Sequence, residues 1–563
     1  MHGDISRSTF DPSRRYAGVR MQQGRVQLDS DWNEQLDIQA RRDRAAMIDA
    51  VGEAAGPVHD CGFGLKVSPD SSDLLVEPGR YWVRGVLCEA ATDQTPVISI
   101  DGARVALGTV VLDGSELAAG SWVRLWDNEG NEIVSCITSV DAATRTLELS
   151  PEPDLDRAWA MVGRRWSYRC QPDLPYTPER GTGLEEPLAD QLLHQGDHLV
   201  YLDVWERHIT ALEDPGIQEV ALGGADTATR TKTVWQLWLL WLPDGWREDL
   251  EPGEDLEERK PTGTMAARTY ADAGGDNLCA PVAGGGYSGA ENQLYRVQIR
   301  SVDDDQHVTS IVWSRDNGSV TTGLTGAGDG VLEVTGIGRD PVLGFTSGQW
   351  VELLDDAREL RQIPGTLVKV EGAEGNHLTL ISSSADGPID FAAVGGGHAK
   401  VRRWDSQGAV SVTTEDWVDI EHGIQVRFSD GTYCEGDFWL IPARTAIADI
   451  DWPQSGSHAG PDSGLSGEAS RPPEGVEHSY APIAVIRAGE GGLEVVEDLR
   501  TRFPALSDLT SAHIGHRRSD RIPGARTLEE AIEFLARRVI ELEQHVASLH
   551  PDRPQPQGRR GWR

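Results

Sequence analysis

Glu415, Asp416, Asp419 and Glu421 bracket Trp417, and paired carboxylates beside an aromatic platform are the working parts of a glycoside hydrolase. In a chain with 90 acidic side chains such clusters arise freely, so a polysaccharide-degrading activity is the weakest functional reading. Oxygen ligands suited to calcium occur along Asp127-Asn128-Glu129-Gly130-Asn131-Glu132 and at Asp303-Asp304-Asp305. Neither has EF-hand spacing, and each reads as a solvated turn. His194 and His198 would share one helical face but lack a third ligand nearby. The cysteines (Cys61, Cys88, Cys136, Cys170, Cys279, Cys434) are scattered without a Cys-x-x-Cys pair and are expected to be buried free thiols. No P-loop, Rossmann glycine fingerprint, His-Glu-x-x-His or Gly-x-Ser-x-Gly elbow is present. The sequence therefore predicts no catalytic, cofactor or metal-binding residues, no preorganised pocket for bond making, and a protein that is not an enzyme.

Composition narrows the partners. The 90 acidic against 52 basic side chains give a net charge of −38, which repels a phosphate backbone and an anionic membrane surface, so neither nucleic acid nor direct membrane insertion is expected. Almost all positive charge is Arg; Lys66, Lys232, Lys260, Lys369 and Lys400 are the lysines. The beginning, MHGDISRSTF, has no apolar signal-peptide core and no long apolar run follows. Cytoplasmic assembly without a signal peptide is expected, with release only as part of a particle. Gly 62, Pro 30 and Trp 18 in 563 residues favour many short strands, and suit indole rings to sheet faces and interfaces.

The elements that would position any site read as mainly β and multidomain: small β-barrel or β-sandwich modules between an N-terminal helical arm and a C-terminal coiled-coil-like helix. Asp31 with Glu34 makes a capping box for a helix that runs to Val51 and stops at Gly52. Its apolar ends, Trp32 and Leu36, then Ile48 and Val51, flank a charged middle, so residues 1–55 read as a docking arm with only the helix ends buried. Strands are predicted at Tyr81–Leu87, at Leu199–Trp205, and at Val234–Leu242 buried on both faces, with a hairpin over Ile311–Val320 turning at Asn317-Gly318. Gly120-Ser121-Trp122-Val123-Arg124-Leu125-Trp126-Asp127 and Gly348-Gln349-Trp350-Val351-Glu352-Leu353-Leu354-Asp355 share Gly-x-Trp-Val-x-Leu-x-Asp, each followed by a Leu-x-Leu run. They suggest two related β modules. Segments 249–290 and 453–475 read as linkers.

The resulting division is 1–55 arm, 56–185 first β module, 186–260 connecting strands, 261–400 second β module, 401–505 C-terminal β region and 506–563 linker, heptad helix and disordered tail. In that last part Leu528, Ile532, Leu535, Val539, Leu542, Val546 and Leu549 recur at alternating spacings of four and three, the seam of a left-handed coiled coil joining two or three copies. Ile532, Val539 and Val546 at a, with Leu at d, favour the parallel dimer.

Met21–Glu34, Tyr201–Arg207, Trp313–Gly318 and Gly436–Arg444, taken in that order, resemble a domain family of unassigned function. That family is encoded in gene clusters for extracellular contractile injection systems, the bacterial relatives of contractile phage tails. The resemblance spans roughly residues 1–500 and brings no catalytic residues. It implies a structural component attached to the baseplate, spike or tail fibres, with other particle proteins and further copies of itself as partners. The alternative it leaves is a fibre-like protein whose Trp-rich β face grips a cell-surface glycan.

Overall fold

The computed structural model describes residues 2–155, 157–173, 195–243, 261–270, 286–340, 342–389, 397–453, 469–489, 491–511, 522, 525 and 527–549. His194, Cys279, most of segment 249–290 and everything after Leu549 lie outside the described residues. Between Ala54 and Phe503 the regular structure is almost entirely strand. One sheet takes Ala54–Pro57, Arg80–Val83, Val86–Glu89 and Arg502–Phe503; another takes Gly196–Ile209, Arg230–Trp241, Ser479–Gly489 and Gly492–Asp498. They share a core of Phe63, Tyr81, Leu202, Trp235 and Ile483. Inserted between Trp241 and Ser479 is a second pair of sheets, whose common core holds Val297, Trp313, Phe428 and Trp439. Each sheet is thus assembled from segments far apart in the chain.

Two closed six-stranded barrels complete the body, one over residues 94–165 and one over 321–404. With strands counted in chain order, both close in the order first, second, fifth, fourth, third, sixth. In each, a bulge interrupts the first strand (Val97/Ser99 and Leu324/Gly326) and the fourth (Ile137/Ser139 and Val370/Gly372). The Gly-x-Trp-Val repeat forms the third strand of both. Gly120 N–H donates to Ile137 O and Gly348 N–H to Val370 O, each at 2.8 Å, and both glycines have the positive φ that a side chain would strain. Val123, Leu125, Val351 and Leu353 fill the two barrel cores. The repeated letters are therefore repeated structure: a left-handed entry, an inward stripe and a terminal Asp that caps the next turn.

Two strand expectations are corrected. Tyr81–Leu87 is a hairpin, Arg80–Val83 paired with Val86–Glu89, because Arg84 and Gly85 both take positive φ and turn the chain. A Cβ on Gly85 would lie 2.5 Å from Arg44 O, so the glycine also lets the hairpin tip meet the N-terminal helix. Conversely, Asn317 and Gly318 do turn with positive φ, but Val308–Ser314 pairs with Gln293–Val302 while Thr321–Gly328 enters the second barrel. No hairpin forms there. Strand Arg230–Trp241 lies at a sheet edge, buried on both faces only over Val234–Leu237. Met265–Thr269 and Ser470–Arg471, within the segments read as linkers, are short paired strands.

The N-terminal helix, α1, runs Asp29–Val51 and stops at Gly52, three residues longer at its start than the capping box predicts. Its N-cap is Leu28, without a side-chain cap. Glu34 instead accepts from Thr9 Oγ1, and Asp29 from Ser6 N and Oγ, so the preceding chain sets the start. A short helix, α2 (Asp356–Leu360), follows the repeat in the second barrel, and α3 spans Leu528–Leu549. Among the described residues no helix is long and apolar enough to cross a membrane.

Candidate functional site

A cleft of about 850 Å³ opens where α1, the strand Gly196–Ile209, the second barrel and the second sheet pair meet. The terminal Asp of the repeat builds one wall. In the first barrel Asp127 accepts the N–H groups of Glu129 and Asn131 and closes a hairpin loop. In the second, Asp355 accepts Arg358 N–H at 2.9 Å and caps α2, and α2 carries Glu359 into the cleft, with Asp356 one helical turn before it behind the wall.

Four carboxylates meet the cations there. Arg207 Nη2 lies 2.6 Å from Asp356 and 3.1 Å from Glu359; Lys400 Nζ lies 2.5 Å from Glu359 and also pairs with Glu213; Arg402 Nη2 donates to Glu359 at 2.9 Å. Thr210 N and Oγ1 hold Glu213 in place. Beneath them Glu352 accepts from Gly365 N, Trp404 Nε1 and Arg300 Nη1. Burial pushes the Glu359 carboxyl up, but Lys400, Arg402 and Arg207 outweigh it and hold the group well below the carboxylate range. A carboxylate fixed as an anion by three cations neither delivers a proton nor attacks; it ties the barrel to the strand that carries Arg207.

The first residues close the cleft from another side. Gly3 is buried, and its carbonyl accepts from Asn317 Nδ2 at 2.9 Å. A Cβ on Gly3 would lie 3.1 Å from the His208 ring. His2 sits beside Arg296 and Arg402, and its Nδ1 is buried without a hydrogen-bond partner. Burial, and then those two arginines, push its pKa well below the ordinary imidazole value. Burial lowers His208 to about 4. Ile5 packs on Leu294, Phe438 and Leu440, and Arg7 pairs with Asp451.

The predicted arm residues divide. Trp32 (71 % exposed) and Leu36 face outward, contrary to the expected burial of both helix ends, whereas Ile48 lines the cleft and Val51 is half-buried. Ile38, with Phe10 across from it, provides the anchoring instead. The outward face continues through Tyr16, Met21, Val26 and Leu28, all exposed. On α3 the described seam residues Leu528, Ile532, Leu535, Val539, Leu542 and Val546 are likewise exposed; Leu549 ends the helix, its side chain outside the described residues.

The other candidates have structural occupations. Glu421 is gripped by Arg315 through both oxygens at 2.5 and 2.6 Å and accepts from Tyr295 OH; burial raises it, but the net shift is downward, opposite to a general acid. Asp419 accepts from Gln425, Glu415 from Asp430 N–H, and Trp417 lies between the guanidiniums of Arg268 and Arg427. Asp303 closes its own turn by accepting from Asp305 and His307 N–H. His198 is on a strand rather than a helical face. Cys88 is buried, while Cys61, Cys136 and Cys170 are half-buried and Cys434 is exposed, a correction to the uniform burial expected. The cleft residues Arg207, Glu213, Glu359, Lys400 and Arg402 went unnoticed in the sequence. The available signal was Lys400-Val401-Arg402-Arg403-Trp404, a strand in which charged residues hold buried positions.

A family of unknown function (DUF6519) matches the chain over residues 1–128, 169–248 and 261–538. The match contains every cleft residue named above and the exposed 16–36 surface. No curated protein and no solved structure matches the chain.

Proposed function

We propose that this chain, which belongs to the family of unknown function DUF6519, is a structural component of a phage-tail-like contractile injection particle, attached at the baseplate, spike or tail fibres. One observation carries the reading: Met21–Glu34, the longest of the motifs that resemble such particle proteins, displays Met21, Val26, Leu28 and Trp32 outward rather than spending them on its own core. Large apolar side chains exposed together along one segment mark a protein contact. The cleft supports the same role, because on its rim Arg44 of α1 pairs with Glu206 at 2.7 Å and Asn317 donates to Gly3 O, contacts that hold α1 and the first residues, and with them the 16–36 surface, against the body. Among the described tryptophans nine are buried, Trp82, Trp126, Trp238, Trp350 and Trp417 are half-buried, and Trp32 and Trp241 are exposed, so a glycan-gripping face would rest chiefly on those two.

Removing the whole arm would take Gly3 and Ile5 out of the body, so point changes are the cleaner test. Val26→Ser with Trp32→Ala should leave the fold intact and abolish copurification with assembled particles. Particles of unchanged composition, shape and firing in the absence of this chain would sink the proposal.

A further inference from the structure

We infer that α3 joins two copies of this chain as a parallel, in-register coiled coil. Leu528–Leu549 is a regular helix whose first turn is partly covered, with Ala531 buried, while the seam beyond it is open: Ile532, Leu535, Val539, Leu542 and Val546 are each about half exposed, from 49 to 54 %. A lone helix that leaves its whole apolar stripe in water lacks its partner. The stripe itself says which partner. Ile532, Val539 and Val546 occupy a, and Leu528, Leu535 and Leu542 occupy d, the β-branched and leucine arrangement that packs two parallel strands.

Charge sets the direction. In the parallel register Arg538 at g faces Glu543 at e of the next heptad on the partner, on both sides of the seam. Of the other flanking positions Ala531 and Ala536 are small and neutral, and Glu529 at e and His545 at g lie at the two ends, where the parallel register sets no charged residue of the partner's helix against them. Within one chain Arg538 holds Glu541 at 2.9 Å with both side chains largely exposed, a contact weak enough to exchange for the one across the seam. An antiparallel pairing sets g against g and e against e, and offers Arg538 no acidic partner. The inference goes beyond attachment through the 16–36 surface, and its test uses no particles, so the two fail separately.

Sedimentation equilibrium of the full chain at tens of micromolar should give the mass of a dimer, and Val539→Asp with Leu542→Asp the mass of a monomer with unchanged β-sheet circular dichroism. Arg538→Glu alone and Glu543→Arg alone should each weaken self-association about fivefold, while mixing the two variants restores it as a heterodimer. A monomeric wild type, a trimer, or a dimer that survives the paired aspartates would overturn the inference. Failure of the mixture to re-pair would overturn the parallel register.

Discussion

Lys400 and Glu359 face each other at 2.5 Å across the cleft, with Glu213 on the far side of the same ammonium group. Lys400 comes from the last strand of the second barrel and Glu213 from the loop after the strand Gly196–Ile209, so one buried cation joins two units of the body. Lys400→Ala leaves Glu213 buried without its cation and takes one of three cations from Glu359, and a loss of about 3–5 kcal/mol is expected. Lys400→Met combined with Glu213→Gln should recover most of it, because the desolvation of both charges disappears together while Glu359 keeps Arg207 and Arg402. Chemical denaturation checks both; a single variant as stable as wild type would show that the ion pairs do not hold the cleft.

The parts of this arrangement differ in how openly the sequence displays them. The two related modules were legible, though not their closure into barrels rather than sandwiches, because Gly120 and Gly348 need left-handed backbone and Leu125 and Leu353 must point inward, which fixes residue types locally. The turn at Asn317-Gly318 was legible for the same reason, but which strands it joins was not: Asn317 N–H bonds Leu294 and its side chain bonds Gly3, residues no local pattern brings near. Arg84-Gly85 hid a hairpin because Arg rarely takes positive φ and the alternation of apolar residues runs on through the turn. The cleft was illegible, since Lys400 and Arg402 look like ordinary surface charges until Arg207, Glu213 and Glu359 are folded against them.

Gly85 is the contact point between the hairpin and α1. Gly85→Ala combines a strained positive φ with a Cβ 2.5 Å from Arg44 O, and backbone on both sides gives neither partner room to shift. A destabilisation of about 1–3 kcal/mol is expected. Hydrogen exchange should show α1 losing protection before the sheets do. If exchange in Asp29–Val51 stays at the wild-type rate, α1 is held by other contacts.

The pH dependence of stability contains two opposed contributions. His208, lowered to about 4 by burial, binds its proton more readily in the unfolded chain, so its contribution is lost as pH falls from about 6.5 through 4. Asp437, pushed up to about 6 by burial, does the reverse: it favours the folded state at low pH, and that contribution is lost as pH rises from about 4 through 6. Each is worth about 3 kcal/mol at 1.36 kcal/mol per unit. His208→Gln should therefore make the protein relatively more stable at pH 4, and Asp437→Asn relatively less. Thermal melts from pH 4 to 7 check the pair, and slopes that shift in the same direction would contradict the assignment.

The two barrels share one strand order, yet only the second carries the cleft. Leu125 and Leu353 fill equivalent core positions and are 0 and 1 % exposed, so truncation of either to Ala should cost about 2–5 kcal/mol. The consequences should nevertheless diverge. Leu125→Ala loosens a barrel whose third strand ends in a plain hairpin loop, and amide protection should fall over residues 94–165 alone. Leu353→Ala loosens the strand that leads into Asp355 and α2 and that pairs directly with the strand holding Lys400 and Arg402. Protection should then fall over 321–404 and also around Arg207, because the ion pairs that hold it lose their geometry. Hydrogen exchange resolved along the chain separates the cases; loss confined to 321–404 in Leu353→Ala would mean that the cleft is held independently of the barrel that supplies its charges.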